Sequence, residues 1–163
     1  MTVELAYIGY GANLGDRVGT LARALEELRV HGVGVLRKSS LYTTEPWGGA
    51  QGGKYINAVL ELPCQGRPAE MLKLLLQIAT RLGRKRTIGG AARTCDLDLL
   101  LWGDLTIYSD DLIVPHPRLP QRRFVLDPLC ELIPDAVHPK YGRSFAALRA
   151  ECADTSRVDL YRE

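Results

Sequence analysis

The chain has 163 residues, of which 46% are hydrophobic and 25% charged, and its net charge at pH 7 is +2. This composition is typical of a soluble globular protein and excludes an intrinsically disordered chain. The length predicts one domain over residues 1–163. The small net charge gives no indication of a nucleic-acid partner.

The cysteines and the N-terminus indicate the compartment. None of the four cysteines forms a CxxC pair, and no Cys/His cluster has zinc-site spacing, so reduced thiols are expected. The first residues, MTVELAYIGYG, lack the basic and long apolar regions of a signal peptide. No run approaches the ~18 apolar residues of a membrane span. These features predict a cytoplasmic protein that does not enter membranes.

The first half of the chain predicts alternating strands and helices. Apolar residues recur at helical spacing from Val18 to Leu28, and Asn13 or Asp16 is a candidate cap for that helix. Pro68 is predicted to open a second helix, with Gly83 as its C-terminal cap. The remaining segments, at residues 5–11, 33–44 and 55–63, are predicted to be strands.

The second half completes the pattern. The glycine-rich, basic stretch Gly83–Cys95 predicts a mobile loop, and CDLDLLLW after it predicts a strand with a short partner at Thr106–Tyr108. A proline-rich irregular segment comes next, then a helix interrupted by Pro128 and a last helix at FAALRAECA. The order β-α-β-β-α-β predicts an α+β, ferredoxin-like sandwich. Its helices would pack on one face of a mainly antiparallel sheet, with extra C-terminal helices behind.

Two carboxylates interrupt the apolar strand RTCDLDLLLW. Side chains alternate along a strand, so Asp96 and Asp98 are expected on one face, roughly 6–7 Å apart. Aspartate is depleted in strands, which favours a functional role, although a solvated outer face of an amphipathic strand explains the pattern equally well. The predicted core face of this strand comprises Cys95, Leu97, Leu99 and Leu101.

The charges around these acids point to a phosphate ligand. Six bases and no acid lie between Met71 and Cys95, and the downstream segment PHPRLPQRR adds His116, Arg118, Arg122 and Arg123. Arginine clusters bind phosphate oxygens, and paired carboxylates hold Mg²⁺ together with substrate phosphates. The combination predicts a metal-nucleotide site for phosphoryl transfer; paired acids beside the bases favour a triphosphate over a nucleic acid.

Two glycine-rich segments resemble nucleotide-binding motifs without matching them. GGAQGGKY (48–55) has tyrosine where a P-loop has Ser or Thr, and it leads into a predicted strand rather than a helix. GYGANLG (9–15) has leucine at the third glycine position of the dinucleotide fingerprint. Neither is expected to bind a nucleotide, and Gly11 is expected in a tight turn or a close backbone approach.

A known family carries all of these features together. GANLGDR, YTTEPWG, YINAV, LGRKR, RTCDLDLLLWG, VPHPRLPQRRFVLDPL and IPD, in this order over residues 5–150, resemble the 6-hydroxymethyl-7,8-dihydropterin pyrophosphokinases of folate biosynthesis. The resemblance implies transfer of the pyrophosphoryl group of ATP to the hydroxymethyl oxygen of the pterin, which yields the pterin diphosphate and AMP. It also implies two Mg²⁺ ions as cofactors and small molecules as the partners of a monomer.

The resemblance implies roles for particular residues. Asp96 and Asp98 resemble the ligands of the two Mg²⁺ ions, and with Arg84 and Arg93 they form the implied catalytic set. The implied ATP-binding residues are Arg84, Arg86, Arg93, Leu99, His116 and Arg122. The implied pterin-binding residues are Thr44, Glu45, Pro46, Trp47, Tyr55, Asn57 and Phe124, with Tyr55 and Phe124 stacking on the ring and Asn57 reading its edge.

The chain departs from the family pattern in a few places. Ala79 stands where the family often has Glu, Ala91 and Ala92 precede Arg93, and Glu45 replaces a commoner Pro or Ala. No tryptophan lies between Arg84 and Arg93, so loop closure and ATP affinity are expected to differ. The alternatives are a nucleotidyltransferase that releases pyrophosphate and, outside enzymes, an RNA-binding module with the same fold.

Overall fold

The computed structural model describes residues 4–45, 53–83 and 95–162. Its elements, in chain order, are β1 Leu5–Ala12, α1 Arg17–Val30, β2 Arg37–Lys38, β3 Tyr42–Thr44, β4 Tyr55–Pro63, α2 Pro68–Arg81, β5 Asp96–Trp102, β6 Ile107–Tyr108, β7 Ile113–Val114, a 3₁₀ turn Leu119–Gln121, α3 Arg123–Leu132, α4 Phe145–Glu151 and β8 Val158–Leu160. Within these ranges no helix is long and apolar enough to cross a membrane.

The main sheet has the predicted α+β topology. Its strand order is β5-β1-β4-β3-β8, with β2 also paired to β4, and the pairings are antiparallel. The unit β1-α1-β3-β4-α2-β5 places its fourth strand beside its first, which is the ferredoxin-like arrangement. The two central strands, β1 and β4, pair along their full lengths, from Leu5 opposite Pro63 to Ala12 opposite Ile56. This confirms the ferredoxin-like prediction.

Helices cover both faces of the sheet. Ile8 and Leu60 pack with α1 and α2 in one core, whereas Tyr7 and Val59 pack with α3 and α4 in another. This division results from the two-residue period of a strand, which sends neighbouring side chains to opposite faces. The expectation of helices on one face therefore holds for α1 and α2, and the C-terminal helices cover the opposite face.

Local signals set the ends of the first two helices as predicted. The Asp16 carboxylate accepts a hydrogen bond from the Gly19 N–H at 3.0 Å, so Asp16 rather than Asn13 caps α1. Pro68 is the first residue of α2, where its missing N–H leaves no bond unmade. Gly83, two residues after the last residue of α2, has a φ of +89°, a conformation that glycine adopts at no steric cost.

The strand predicted over residues 33–44 is two short strands. Ser39, which is buried, lies between β2 and β3, and its hydroxyl accepts the Val59 N–H at 2.9 Å in place of a backbone carbonyl. The Ser39 hydroxyl also donates to the Ser40 carbonyl at 2.8 Å. A side chain therefore takes over one position of the ladder and divides the strand.

The short strand at Thr106–Tyr108 pairs with β7 and not, as predicted, with the strand before it. Gly103, at φ +53°, turns the chain out of β5 while its N–H still donates to the Leu5 carbonyl. Ile107 and Tyr108 then pair with Val114 and Ile113 in a separate two-stranded sheet. The antiparallel partner is the next segment of the chain because the turn at 109–112 is short.

A bulge in β5 changes the faces of its last residues. Tyr7 lies opposite Leu101 and Ile8 opposite Leu99, so Leu100 is an extra residue. Leu100 and Leu101 both pack against α3 and α4, and the prediction that Leu101 shares a face with Leu97 and Leu99 is wrong. Asp96 and Asp98 precede the bulge and lie opposite Gly11 and Gly9.

The C-terminal part differs from the prediction in two respects. The helix predicted to break at Pro128 runs through it from Arg123 to Leu132, stabilised by burial of residues 125–129. A further strand, β8, was not predicted and pairs with β3, where Thr44 lies opposite Val158. The predicted loop Gly83–Cys95 lies between the described ranges apart from its two ends.

Candidate active site

A cavity of about 530 Å³ opens on the α3 side of the sheet. Strands β1, β4 and β5 form its floor, and the segment that enters α3 forms its outer wall. The side chains and glycines that define it are Gly9, Gly11, Thr44, Tyr55, Asn57, Val59, Asp96, Asp98, Arg118, Gln121, Arg122, Phe124 and Val125. A volume of this size is in the range of small-molecule sites.

Two glycines of β1 leave the floor of the cavity open. Gly9 lies opposite Val59 on one side and Asp98 on the other, and Gly11 lies between Asn57 and Asp96 in the same way. Glycine weakens a strand and commonly marks a place where a ligand approaches the backbone. Since neither residue carries a side chain, the two carboxylates and the Asn57 amide face one another across unobstructed backbone.

The acidic wall of the cavity is formed by Asp96 and Asp98 of β5. Both carboxylates are half-buried and line the same cavity, as the alternation predicted. Within the described residues no group of three or more His, Cys, Asp and Glu side chains forms a metal site. The pair fits Mg²⁺ in particular, because this ion is usually held by one or two carboxylates together with substrate phosphates.

The basic wall faces the carboxylates from the 3₁₀ turn. Leu119 of this turn is fully buried in the α3-side core, which fixes the turn while Arg118, Gln121 and Arg122 line the cavity. Burial lowers the pKa of Arg122, and the nearby carboxylate of Asp98 acts in the opposite direction. Such a guanidinium gains from an anionic ligand that replaces its lost solvation.

Consecutive arginines at the start of α3 have different partners. Arg122 lines the cavity, and its guanidinium carbon lies 5.5 Å from the centre of the Phe124 ring. Arg123 instead pairs within α3, where its Nε lies 3.6 Å from the buried carboxylate of Asp127, four residues later. Arg149 of α4 binds the same carboxylate at 2.6 Å. Only Arg122 of this pair contributes to the cavity.

His116 is half-buried beside β5, outside the residues that line the cavity, and its ring is held neutral. The backbone N–H of His116 donates to the Leu100 carbonyl at 2.9 Å, and its ring Nδ1 accepts the backbone N–H of Arg118 at 3.2 Å. Burial, together with the charges of Arg122 and Arg118, lowers the pKa of His116 to about 4. With Nδ1 as an acceptor, the proton of the neutral ring is assigned to Nε2, which leaves a hydrogen-bond donor.

The other end of the cavity combines aromatic rings with a buried amide. Tyr55 and Phe124 are both half-buried at the lining. Asn57 Nδ2 donates to Thr44 Oγ1 at 3.0 Å, and both side chains are buried. This bond orients the amide of Asn57 across the floor. The arrangement suits a flat heteroaromatic ring that stacks on aromatic faces and needs a fixed polar contact at its edge.

The structure brings together most of the predicted site residues that it describes. Those that line the cavity are Thr44, Tyr55, Asn57, Asp96, Asp98, Arg122 and Phe124. Glu45 instead lies at the surface, 3.5 Å from Lys54 Nζ. Leu99 is buried on the opposite face, against α1 and α2, so its side chain does not reach the cavity. His116 is described but is not among the lining residues, so its predicted contact with ATP stays a prediction. Pro46, Trp47, Arg84, Arg86 and Arg93 lie outside the described residues.

Several residues line the cavity without having been assigned to it from the sequence; Arg118 had been named only as one of the bases expected to bind phosphate. Arg118 and Gln121 belong to the basic segment that the sequence singled out, and their three-residue spacing within a turn is the signal that places them together. Gly9 was considered only as part of a nucleotide motif, whereas the close backbone approach expected for Gly11 as an alternative to a turn is what the structure shows. Their spacing of two within a strand, beside paired acids of another strand, was the available sign.

Tyr55, which departs from the P-loop motif, and Ala79, which departs from the family pattern, both lie in regular elements. Tyr55, the last residue of the glycine-rich segment 48–55, begins the strand β4, whereas a P-loop leads into a helix. This agrees with the prediction that the segment is not a P-loop. Ala79, where the family often has Glu, is 1% exposed within the core of α1 and α2. The effect of this departure on ATP binding stays a prediction.

Comparisons with known proteins agree with this geometry. Residues 7–134 match the model of the family described as 7,8-dihydro-6-hydroxymethylpterin-pyrophosphokinase. The chain is 42% identical over 130 residues to a 2-amino-4-hydroxy-6-hydroxymethyldihydropteridine pyrophosphokinase from Bacillus subtilis, and the match covers 79% of this chain and 78% of the relative. A relative from Aquifex aeolicus is 32% identical over 89% of this chain and 90% of its own length.

Some relatives are much longer than this chain. It is 36% identical to the folic acid synthesis protein fol1 of Pneumocystis carinii over 93% of its own length but only 20% of that protein. A crystal structure of an HPPK-DHPS in complex with substrates matches with a TM-score of 0.71 at 12% identity, over 93% of this chain and 43% of the other. This structural likeness shows the fold alone. The family match and the bacterial relatives together show that the chain belongs to the 7,8-dihydro-6-hydroxymethylpterin-pyrophosphokinase family.

Proposed function

We propose that the protein transfers the pyrophosphoryl group of ATP to the hydroxymethyl oxygen of 6-hydroxymethyl-7,8-dihydropterin, in folate biosynthesis. One observation carries this proposal: a pair of carboxylates and an arginine face each other in a cavity that also holds two aromatic rings and a buried amide. One cavity therefore has groups to bind both substrates of such a transfer: carboxylates and an arginine for the metal-bound phosphates, and aromatic rings with an amide for the pterin.

The transfer requires charge neutralisation. The pterin hydroxyl oxygen forms a bond to the β-phosphorus of ATP and gives up its proton to water, the bond from that phosphorus to the α,β-bridging oxygen breaks, and AMP leaves with this oxygen. Two Mg²⁺ ions, when bound, would neutralise the phosphates and align the attacking oxygen. Asp96 and Asp98 would hold these ions, since both carboxylates line the cavity and Mg²⁺ accepts a set completed by phosphates.

The described bases act on the phosphates from the opposite wall. Arg122 and Arg118 supply guanidinium groups that bind phosphate oxygens, and burial increases the gain for Arg122. His116, held neutral, donates from Nε2 without adding a charge beside the metal ions. Arg84, Arg86 and Arg93 are proposed to complete the phosphate contacts, as the family resemblance implies.

The pterin is proposed to stack between Tyr55 and Phe124. Asn57, oriented by its bond to Thr44, would read the polar edge of the ring, because one amide supplies both a donor and an acceptor. Gly9 and Gly11 allow the ring and its hydroxymethyl group to approach the carboxylates closely. Positioning of the hydroxyl for in-line attack is the main contribution expected from these residues.

The nucleotide product tests the proposal. The protein is incubated with Mg-ATP and the pterin, and the products are separated by chromatography. AMP that forms only with the pterin and disappears in the Asp96→Ala/Asp98→Ala double variant supports pyrophosphoryl transfer and the metal-binding role together. Pyrophosphate without AMP would favour the alternative nucleotidyltransferase, and ADP would indicate a simple kinase.

Several narrower statements stay predictions. The protein is expected to act as a monomer in the cytoplasm, on small molecules and without nucleic acid, and residues 1–163 are expected to form one domain. Size-exclusion chromatography with light scattering measures the first of these. Filter binding of labelled RNA, with and without excess ATP, measures the nucleic-acid alternative.

A further inference from the structure

The helix that supplies Arg122 and Phe124 to the cavity has no cap of its own. Helix α3 begins at Arg123, and its N-cap residue, Arg122, makes no capping side-chain hydrogen bond. The first four N–H groups of a helix have no partner within the helix and need acceptors from elsewhere. Both cavity residues lie within two positions of this helix start. An acceptor that binds the free N–H groups there therefore also fixes the positions of both residues.

The missing acceptor comes from the C-terminal segment. The Arg123 N–H donates to Asp154 Oδ2 at 3.0 Å, across 31 residues of chain. A carboxylate at this place satisfies one free N–H group and lies at the positive end of the helix dipole. Asp154 thus performs from a distance the task that a local Ser or Asp performs in most helices.

Asp154 is itself held in place. Its Oδ1 accepts a hydrogen bond from the Ser156 N–H at 2.9 Å and another from the Ser156 hydroxyl. Partial burial acts to raise the pKa of Asp154, but the hydrogen bonds from Ser156 and Arg123 outweigh it and lower the pKa. The group therefore faces α3 as a carboxylate with a fixed orientation.

The same segment also supports the other wall of the cavity. Two residues after Ser156 the chain enters β8, where Val158 lies opposite Thr44 of β3, and the Tyr161 N–H donates to the Leu41 carbonyl at 2.8 Å. Thr44 in turn holds the Asn57 amide. Residues 152–162 lie beyond residues 7–134 that match the family. They contact both the α3 wall and the β3 wall.

From these contacts we infer that Asp154 is a positioning residue of the active site: it caps α3 from outside and thereby fixes Arg122 and Phe124 for the two substrates. The inference rests on the proposed function, since it assigns Arg122 to the phosphates and Phe124 to the pterin. Asp154 itself touches neither substrate. Removal of its carboxylate would leave every substrate-binding side chain present but would allow Arg122 and Phe124 to shift relative to the two acids.

The test compares two caps of the same kind. In Asp154→Ala the acceptor for α3 is lost; in the control Ser144→Ala the acceptor for the Ala147 N–H of α4, 3.1 Å away, is lost instead. Each change is expected to lower Tm by a few degrees. Asp154→Ala is expected to raise KM for ATP and for the pterin roughly three- to tenfold, because a small displacement of binding groups is costly, while Ser144→Ala leaves both unchanged.

Two further variants separate position from charge. Asp154→Asn keeps one acceptor oxygen for the Arg123 N–H but loses the acceptor for the Ser156 N–H, so KM is expected to fall between the values of the wild type and Asp154→Ala. Asp154→Glu keeps the charge but moves the carboxylate by one methylene group, so KM stays raised while Tm changes little. Asp154→Glu also carries the test if Asp154→Ala does not fold.

The outcomes distinguish the two proposals. Asp154→Ala and Asp154→Glu with the KM values of Ser144→Ala would overturn the positioning role, even if Tm falls. Titration calorimetry with a non-hydrolysable ATP analogue repeats the comparison without turnover, and a weaker Kd in Asp154→Ala alone supports the role. A wild-type protein that binds the analogue but forms no AMP with the pterin would instead contradict the proposed function.

Discussion

Gly11 of β1 lies directly opposite Asn57 of β4, and a methyl group at Gly11 would lie 3.1 Å from Asn57 Oδ1. That distance is too short for an ordinary carbon–oxygen contact. Asn57 is buried and bonded to Thr44, so it yields only by giving up the orientation proposed to read the pterin. The absence of a side chain at Gly11 is thus a condition for the polar contact at the end of the cavity.

The first prediction concerns this glycine. Gly11→Ala is expected to raise KM for the pterin about tenfold through displacement of the Asn57 amide, with a smaller effect on KM for ATP. Gly34→Ala is the control, because a methyl group there would meet nothing within 4 Å. Steady-state kinetics with each substrate varied in turn measures the difference. Equal pterin KM values in the two variants would contradict the role of Gly11.

The second prediction concerns the carboxylates. Asp96→Asn and Asp98→Asn are each expected to lower kcat/KM by roughly a hundredfold or more. A neutral amide binds a divalent cation more weakly than a carboxylate does, and the cation is needed to neutralise the phosphates. Asp110→Asn, an exposed carboxylate after β6, is the control and should keep wild-type activity. Magnesium titration of AMP formation measures the effect. A variant whose activity returns to the wild-type level at saturating Mg²⁺ supports the ligand role; wild-type activity at low Mg²⁺ contradicts it.

The third prediction concerns the buried carboxylate of Glu61 and its pair with the half-exposed Arg37, near the C-terminal helices. Glu61 is 4% exposed and accepts hydrogen bonds from Tyr7 Oη at 2.7 Å and from two nitrogens of Arg37 at 2.8 and 2.7 Å. Glu61→Ala is expected to cost about 3 kcal/mol of unfolding free energy, because it leaves Tyr7 without its acceptor in the core. Thermal and urea unfolding measure this. Glu26→Ala, which removes an exposed pair with Arg29, should change stability little.

The same carboxylate gives a pH dependence of stability. The hydrogen bond from Arg37 lowers the pKa of Glu61 below its ordinary 4.5, against the effect of burial, and the Tyr7 bond adds to the lowering. The unfolded state therefore binds a proton first as pH falls, so this contribution is full above about pH 5 and is lost as pH drops through the folded pKa. The Tm difference between wild type and Glu61→Gln should narrow below about pH 4.5. A constant difference down to pH ~3 would contradict the ionic contribution.

The fourth prediction concerns the protonation of His116. Burial and the neighbouring arginines lower its pKa from 6.5 to about 4, so the folded protein resists protonation where the unfolded chain accepts it. The contribution of neutral His116 to the free energy of unfolding is therefore full above pH 6.5 and declines as pH falls towards 4. In the ligand-free protein, the NMR signal of the ring, assigned by its loss in His116→Gln, should titrate near pH 4. A midpoint near 6.5 would show that the ring is not held neutral.

Much of the site was predictable because its signals are local. The alternation in RTCDLDLLLW placed Asp96 and Asp98 away from the core, and the sheet confirms this. The strand Tyr55–Pro63 has the predicted limits, and Pro68 opens α2 as predicted. Each of these features depends on the period of one element or on one residue at its end, which a linear sequence carries in full.

Other features required contacts between distant parts of the chain. The bulge at Leu100, which moves Leu101 to the other core, depends on the register with β1, and no local pattern records it. The partner of β6 depends on where the turn at Gly103 sends the chain. The pairing of Asp127 with Arg149 depends on the packing of α4 against α3, which the sequence around Asp127 does not record.

The sequence by itself determined the β-α-β-β-α-β order of the main elements, the faces of the acids and the family, because periodicity and motif spacing can be read along the chain. Only the tertiary structure decided that Gly9 and Gly11 form an open floor between Asn57 and the two acids, and that Asp154 caps a helix 31 residues earlier in the chain. Strand register and long-range hydrogen bonds are settled by the packing of the whole chain, since a contact between distant residues becomes favourable only when the elements around it are already in place.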